Sequence, residues 1–234
     1  TEWYQPLDYN SPWFVAPYYA YTRTSDDVYL PGSDSLVAEY QYTRRSAGVS
    51  LGYSLGSWGE VRTGPVWSQA AYRRQVGDPR LPELDENVSG WQAKLAFDKV
   101  DNAKFPNNGV VGNIKAYWGL RSFNADVDYK KYSADWLGAY NVKGNVMSIA
   151  LRGGRSPNAP YYEYFRLGGL FNLTGYHQDE LAGDSYVYGR LGYARRWNSP
   201  YTNGVYGGIM AESGATWLPG QARSASDMKY SGTL

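Results

Sequence analysis

The sequence has no cysteine, a single histidine (His177) and no long apolar run. Without cysteine there are no disulfides and no thiolate metal sites. One imidazole cannot build a His-based metal cluster. No stretch reaches the roughly 18 apolar residues a membrane-crossing helix needs, but this leaves transmembrane β-barrels open, because only every second residue of their strands faces lipid. Charge of one sign is also lacking: 23 Lys and Arg stand against 22 Asp and Glu, a net charge of +1. Mixed in this way, the charges give no pull toward nucleic acid. The first residues, Thr1-Glu-Trp-Tyr, carry no export signal, and Lys229 to Leu234 has the look of half a strand. Both ends lead us to expect an interior piece of a longer protein.

What is present is aromatic and glycine-rich. Tyr numbers 24 and Gly 27, aromatics make up 17% of the chain and charged residues 19%, while the mean hydropathy is −0.56. That mixture suits short turns and many strands better than helices.

Alternation along the chain carries the fold. From Gly90 to Val100, Trp91, Ala93, Leu95 and Phe97 oppose Gln92, Lys94, Ala96 and Asp98; after a turn at 101–108, Val110, Ile114, Ala116 and Trp118 oppose Asn113, Lys115 and Tyr117. The pair predicts a hairpin. In the run from Leu36 to Leu55, Ala47, Val49, Leu51, Tyr53 and Leu55 oppose Ser46, Gly48, Ser50, Gly52 and Ser54. Its earlier part places Glu39, Gln41 and Arg45 on the apolar register, so that part must stand outside lipid, where a charge would cost ~2–4 kcal/mol at the bilayer centre. Further strands are predicted at Trp13 to Arg23, Gly59 to Tyr72, Tyr129 to Val142, Val146 to Gly153, Tyr186 to Trp197 and Val205 to Trp217. The short turns expected at 9–12, 56–59, 142–145 and 198–203 alternate with longer polar loops at 24–35, 75–89 and 155–185, the asymmetry of outer-membrane barrels. The turn at 101–108 is longer than that rule favours. A soluble sandwich would also alternate, but strand length, aromatic girdling and loop asymmetry favour an all-β antiparallel transmembrane β-barrel, with residues 1–234 forming part of one domain.

Chemistry is sparse. Gly52-Tyr53-Ser54-Leu55-Gly56 matches the G-x-S-x-G nucleophile pattern, but it lies in an alternating strand, where Ser54 reads as a lumen-facing polar residue. Asp78, Glu83, Asp85 and Glu86 share one Pro-punctuated loop and read as a solvated face, and His177 reads as a polar loop residue. No catalytic, metal or cofactor site is expected. Glu212 falls on the polar face of its strand, and a carboxylate in a barrel wall calls for a cationic partner. Arg152 and Arg190 on other strands, with Arg166 in the long loop, are the candidates for a lumen charge network.

Three stretches carry a resemblance: FRLGGLFNLTGY (165–176), ELAGDSYVYGRLGYARRW (180–197) and the strand containing AESG (211–214). They resemble the bacterial surface antigen family of outer-membrane barrels, which includes outer-membrane insertases and two-partner secretion translocases. Together with TEWYQPLDY (1–9) and EYQYTRRSAGVSLGYSLGSWGEVRTG (39–64), they look most like the barrel of patatin-like phospholipase autotransporters, a type V secretion system. The resemblance implies an outer-membrane barrel of roughly sixteen strands, about ten to eleven of them covered here. It also implies periplasmic POTRA modules and a passenger domain in the same protein, contacts with lipid, lipopolysaccharide and the barrel assembly machinery, and an extracellular loop entering the lumen with an R-G-Y/F tip. The tip here reads Leu173-Thr174-Gly175-Tyr176. Thr174 stands where the arginine is expected, so either another arginine meets Glu212 or Tyr176 packing and hydrogen bonds hold the loop. The implied function is that of a translocator or anchor, with an insertase or secretion pore as the alternative and an esterase using Ser54 as a second.

Overall fold

Strands that alternate apolar and polar side chains must separate two environments. The computed structural model, which describes residues 1–29, 36–199 and 202–234, is built almost wholly of such strands. In chain order they are β1 (Gln5–Pro6), β2 (Trp13–Tyr29), β3 (Leu36–Ser54), β4 (Gly59–Val76), β5 (Leu84–Asn87), β6 (Gly90–Asp98) and β7 (Gly109–Gly119). They continue with β8 (Lys130–Val142), β9 (Asn145–Arg155), β10 (Phe165–Leu167), β11 (Leu181–Gly183), β12 (Ser185–Ser199), β13 (Thr202–Trp217) and β14 (Lys229–Thr233). Helical structure among the described residues is confined to single 3₁₀ turns.

One 12-stranded sheet runs β1-β2-β3-β4-β6-β7-β8-β9-β12-β13-β14, with β5 paired to β4, while β10 and β11 form a separate two-stranded sheet. All these pairings are antiparallel. The predicted hairpin is present, and its register sets Trp91 opposite Trp118, Ala93 opposite Ala116 and Leu95 opposite Ile114. Lys143 and Gly144 join β8 to β9, both with positive φ (52° and 84°), the two-residue turn whose twist matches its strands.

Two expected loops need correction. Residues 24–29, expected to open a loop, continue β2 and pair with β3 as far as Leu36. The rest of that loop, 30–35, lies outside the described residues, as do 200 and 201 of the turn expected at 198–203. The loop expected at 75–89 contains β5, which pairs with an extended β4 over Gln69–Tyr72. Both additions stand beyond the bilayer, where neither face must be apolar and the alternation that marks a strand is lost.

The outer face of the sheet is the lipid face, with Val49, Leu51, Val61, Ile114, Ile149, Leu151 and Leu191 all exposed on it. Aromatic residues bracket this band on β2. Trp13, edge-on to Tyr53 at 5.0 Å, marks one border and Tyr21 the other, and the residues between rise ~26 Å along the strand. An outer-membrane apolar band is ~25 Å tall. β3 has 19 residues and outruns it, so Glu39 and Gln41 stand beyond lipid, as their sequence position required.

The inner face is floored by small residues. A Cβ on Gly52 would lie 2.1 Å from the Phe14 ring, so the stripe of Ser and Gly along β3 lets rings from β2 lie flat against the wall. Phe14 is fully buried there, with the Arg62 guanidinium 5.0 Å from its ring centroid. Arg62 in turn bonds Glu2 and Glu60, each at 2.8 Å.

Candidate functional site: the lumen loop and its two anchors

The connection from β9 to β12 spans residues 156–184 and folds back against the inner face. Its β10–β11 ribbon brings Leu167 opposite Leu181, and Leu167 and Leu173 form an apolar cluster with Tyr186 and Tyr188 of β12, joined by Phe165, Tyr176 and Leu181. Leu167 lies on Gly214 of β13, where a Cβ would come within 3.0 Å of Leu167 Cδ1. The glycine of the AESG stretch is therefore the floor under the loop.

Two residues before that glycine, Glu212 is 3% exposed and holds the loop tip. Its Oε2 accepts from the Thr174 N–H at 2.7 Å and from the Ser231 hydroxyl at 3.1 Å. Oε1 accepts from the Tyr188 hydroxyl at 2.5 Å and from the Leu173 N–H at 3.4 Å. Leu173 has a φ of 80°, and this left-handed turn aims successive backbone N–H groups at one point, an arrangement that binds anions. Fully buried and β-cluster packed, Leu173 keeps a conformation that costs about 1–3 kcal/mol because four donors converge on the carboxylate it faces.

The expected arginine partner of Glu212 is therefore corrected. No ion pair among the described residues includes Glu212. Arg190 sits directly opposite it in the ladder, yet its guanidinium lies 5.5 Å from the Phe171 ring centroid. Arg152 donates to Asn172 Oδ1 (3.2 Å) and Phe171 O (2.7 Å) and stacks over Tyr188 at 4.2 Å. Both arginines thus grip the loop beside the carboxylate. Arg166 faces Tyr161 instead, donating to its hydroxyl at 3.2 Å. The tip backbone does the work expected of a guanidinium, with Tyr176 packed behind it as the second expected route required.

A second anchor lies at the base of the loop. Glu163 ends a 3₁₀ turn (Tyr161–Glu163) and is 3% exposed. Arg44 of β3 bonds its Oε1 at 2.8 Å, Tyr42 donates to the same oxygen at 3.3 Å, and Lys131 of β8 reaches Oε2 at 3.1 Å and the Glu163 carbonyl at 2.6 Å. In the sheet, β4, β6 and β7 separate β3 from β8, so one carboxylate spans the hollow of the wall. Burial opposes its ionisation, but the Lys131 and Arg44 cations prevail and hold the carboxyl below its ordinary value. Next to it, the Tyr162 hydroxyl donates to Glu86; burial first, and then that carboxylate, push the phenol above its usual range.

A loop docked inside a curved antiparallel wall can be set beside known proteins. The Omp85 superfamily domain matches residues 1–218 of the sequence. The chain belongs to the Omp85 superfamily. No curated protein matches it. Among solved structures, BamA from Haemophilus ducreyi lacking POTRA domains 1–3 superposes with a TM-score of 0.74 at 12% identity, covering 93% of this chain and 49% of that one. The chain thus spans about half the length of that relative. The shared architecture and family membership make this an outer-membrane β-barrel wall.

Glu163, Arg44 and Lys131 are the site residues of this Omp85 barrel that reading the sequence missed. The only signal for them was the polar side of β3 and β8, since Glu163 itself sits in an aperiodic Tyr-rich stretch. Ser54 ends β3, its hydroxyl donating to Gly56 O at 3.4 Å. His177 lies in the tip turn, its N–H donating to Glu180 at 2.7 Å.

Proposed function

We propose that this Omp85 barrel is the outer-membrane translocator or anchor of a surface protein of the patatin-like phospholipase type, with no catalysis in this chain. POTRA and passenger domains of the same protein, the barrel assembly machinery, lipid and lipopolysaccharide are its partners in this reading. The observation that carries it is the tip. A backbone nest holds Glu212 where insertase-like tips use an arginine, so the loop is seated by bonds that do not depend on that side chain. Depleting the intact protein is expected to remove one surface polypeptide and leave other outer-membrane proteins at their normal levels.

The second reading is an insertase for other barrels, favoured by the superposition on BamA. A simultaneous fall of many outer-membrane proteins on depletion would establish it and remove the first.

A further inference from the structure

The connection from β6 to β7, residues 99–108, is out of scale for its end of the barrel. Two residues join β8 to β9 there, and hairpin loops ordinarily take about two to five. The extra length is ordered by its own side chains. Asp101 Oδ1 accepts the N–H groups of Asn107 (2.8 Å) and Asn108 (3.0 Å), and Asn102 Oδ1 accepts those of Lys104 (2.8 Å) and Phe105 (3.1 Å). Asn108 Oδ1 in turn accepts the Asn141 N–H at 3.0 Å, tying the segment to the end of β8.

Held in this way, the segment reaches across the hollow. The Phe105 ring stacks on Tyr206 of β13, with centroids 5.7 Å apart and planes 12° from parallel. The Tyr206 hydroxyl donates to Asn107 Oδ1 at 3.3 Å, and the Arg196 guanidinium lies 5.9 Å from the Tyr206 ring centroid. β8, β9 and β12 stand between β7 and β13 in the sheet. Tyr206 is an even number of residues from Glu212 along β13 and so shares its inner face.

We propose that residues 99–108 form a flap closing the short-turn mouth of the lumen, latched where Phe105 and Asn107 meet Tyr206. The flap touches neither loop anchor: Glu212 and Glu163 hold the segment entering from the opposite end. The lumen therefore has two closures in series, worked by different residues, whatever the barrel passes.

The test uses the intact protein in liposomes and exploits the absence of native cysteine in this chain. With Met210→Cys as a reporter on the inner face beyond Tyr206, a charged, membrane-impermeant maleimide is added from the short-turn side. Losing the aromatic stack in Phe105→Ala is expected to raise the labelling rate about two- to tenfold, while Phe105→Trp leaves it near the parent rate. A short bis-maleimide is expected to link Phe105→Cys to Tyr206→Cys in protein that still shows its folded, heat-modifiable band. An unchanged rate in Phe105→Ala, an equal rise in Phe105→Trp, or no crosslink in folded protein would each overturn the proposal.

Discussion

The two anchors of the lumen loop use the same residue type in opposite ways. At the base, Glu163 is met by two cations from strands far apart in the sheet; at the tip, Glu212 is met by two backbone N–H groups and two hydroxyls. The first ties distant parts of the wall together through the loop and depends on charge. The second stays within β12, β13 and β14 and depends on the conformation of the tip. A buried ion pair is strongly destabilising when one member is lost, whereas a set of hydrogen bonds fails one bond at a time. The base is thus the all-or-none anchor and the tip the graded one.

The largest expected effect breaks the base. Glu163→Ala leaves Arg44 and Lys131 facing each other without their carboxylate and should cost about 3–5 kcal/mol, read as rapid trypsin cleavage in residues 156–184 of folded protein. If the loop stays protected, the base is not an anchor. Acid should approach the same state. The docked Glu163 carboxyl titrates below the free value of 4.5, so its stabilisation is complete above that value and disappears as pH falls through the docked pKa. Pepsin nicking of the loop should therefore begin only in strongly acidic buffer, and nicking that begins near neutrality would contradict the ion-pair account.

At the tip the effects shrink. Glu212→Ala strands the Leu173 and Thr174 N–H groups and should cost about 2–3 kcal/mol, loosening the tip while the base holds; hydrogen exchange should rise at 171–176 and not at 161–163. Tyr188→Phe removes one donor and should cost about 1–2 kcal/mol, visible as a smaller rise in the same segment. Smallest of all, Thr174→Arg should change loop protection by under about 1 kcal/mol, because the carboxylate's acceptor positions are already taken. A large gain in protection there would show that the nest is a poor substitute for a guanidinium.

The same contrast separates what could be read in the sequence from what could not. β6 and β7 were legible in the sequence because lipid demands an apolar side chain at every second position, and Glu212 was placed correctly on the inner face by that rule. The end of β2 beyond Arg23 was lost because it stands beyond the bilayer, where neither face must be apolar, which leaves no alternation to detect. Glu163 was invisible for another reason. Its partners Arg44 and Lys131 are 119 and 32 residues away, and nothing local in Tyr161-Tyr-Glu-Tyr164 separates a buried carboxylate from a solvated one. The tip nest lay in between: Thr174 flagged that a guanidinium was missing, but only the φ of Leu173 shows what replaced it.

The unequal lengths of the strands shape how the barrel meets its surroundings. β2, β3 and β4 have 17, 19 and 18 residues, whereas β7 and β9 have 11 each. Followed through the ladder, Gly119 at the end of β7 is level with Gly90, Val66 and Gly48, so β3 runs on for residues 36–47 beyond it, ~40 Å along the strand. The wall thus ends in a slanted rim, a tall screen on one flank and a low sill on the other. The added length of β2, β3 and β4 therefore presents a two-sided protein face to water beyond the level at which β7 and β9 stop.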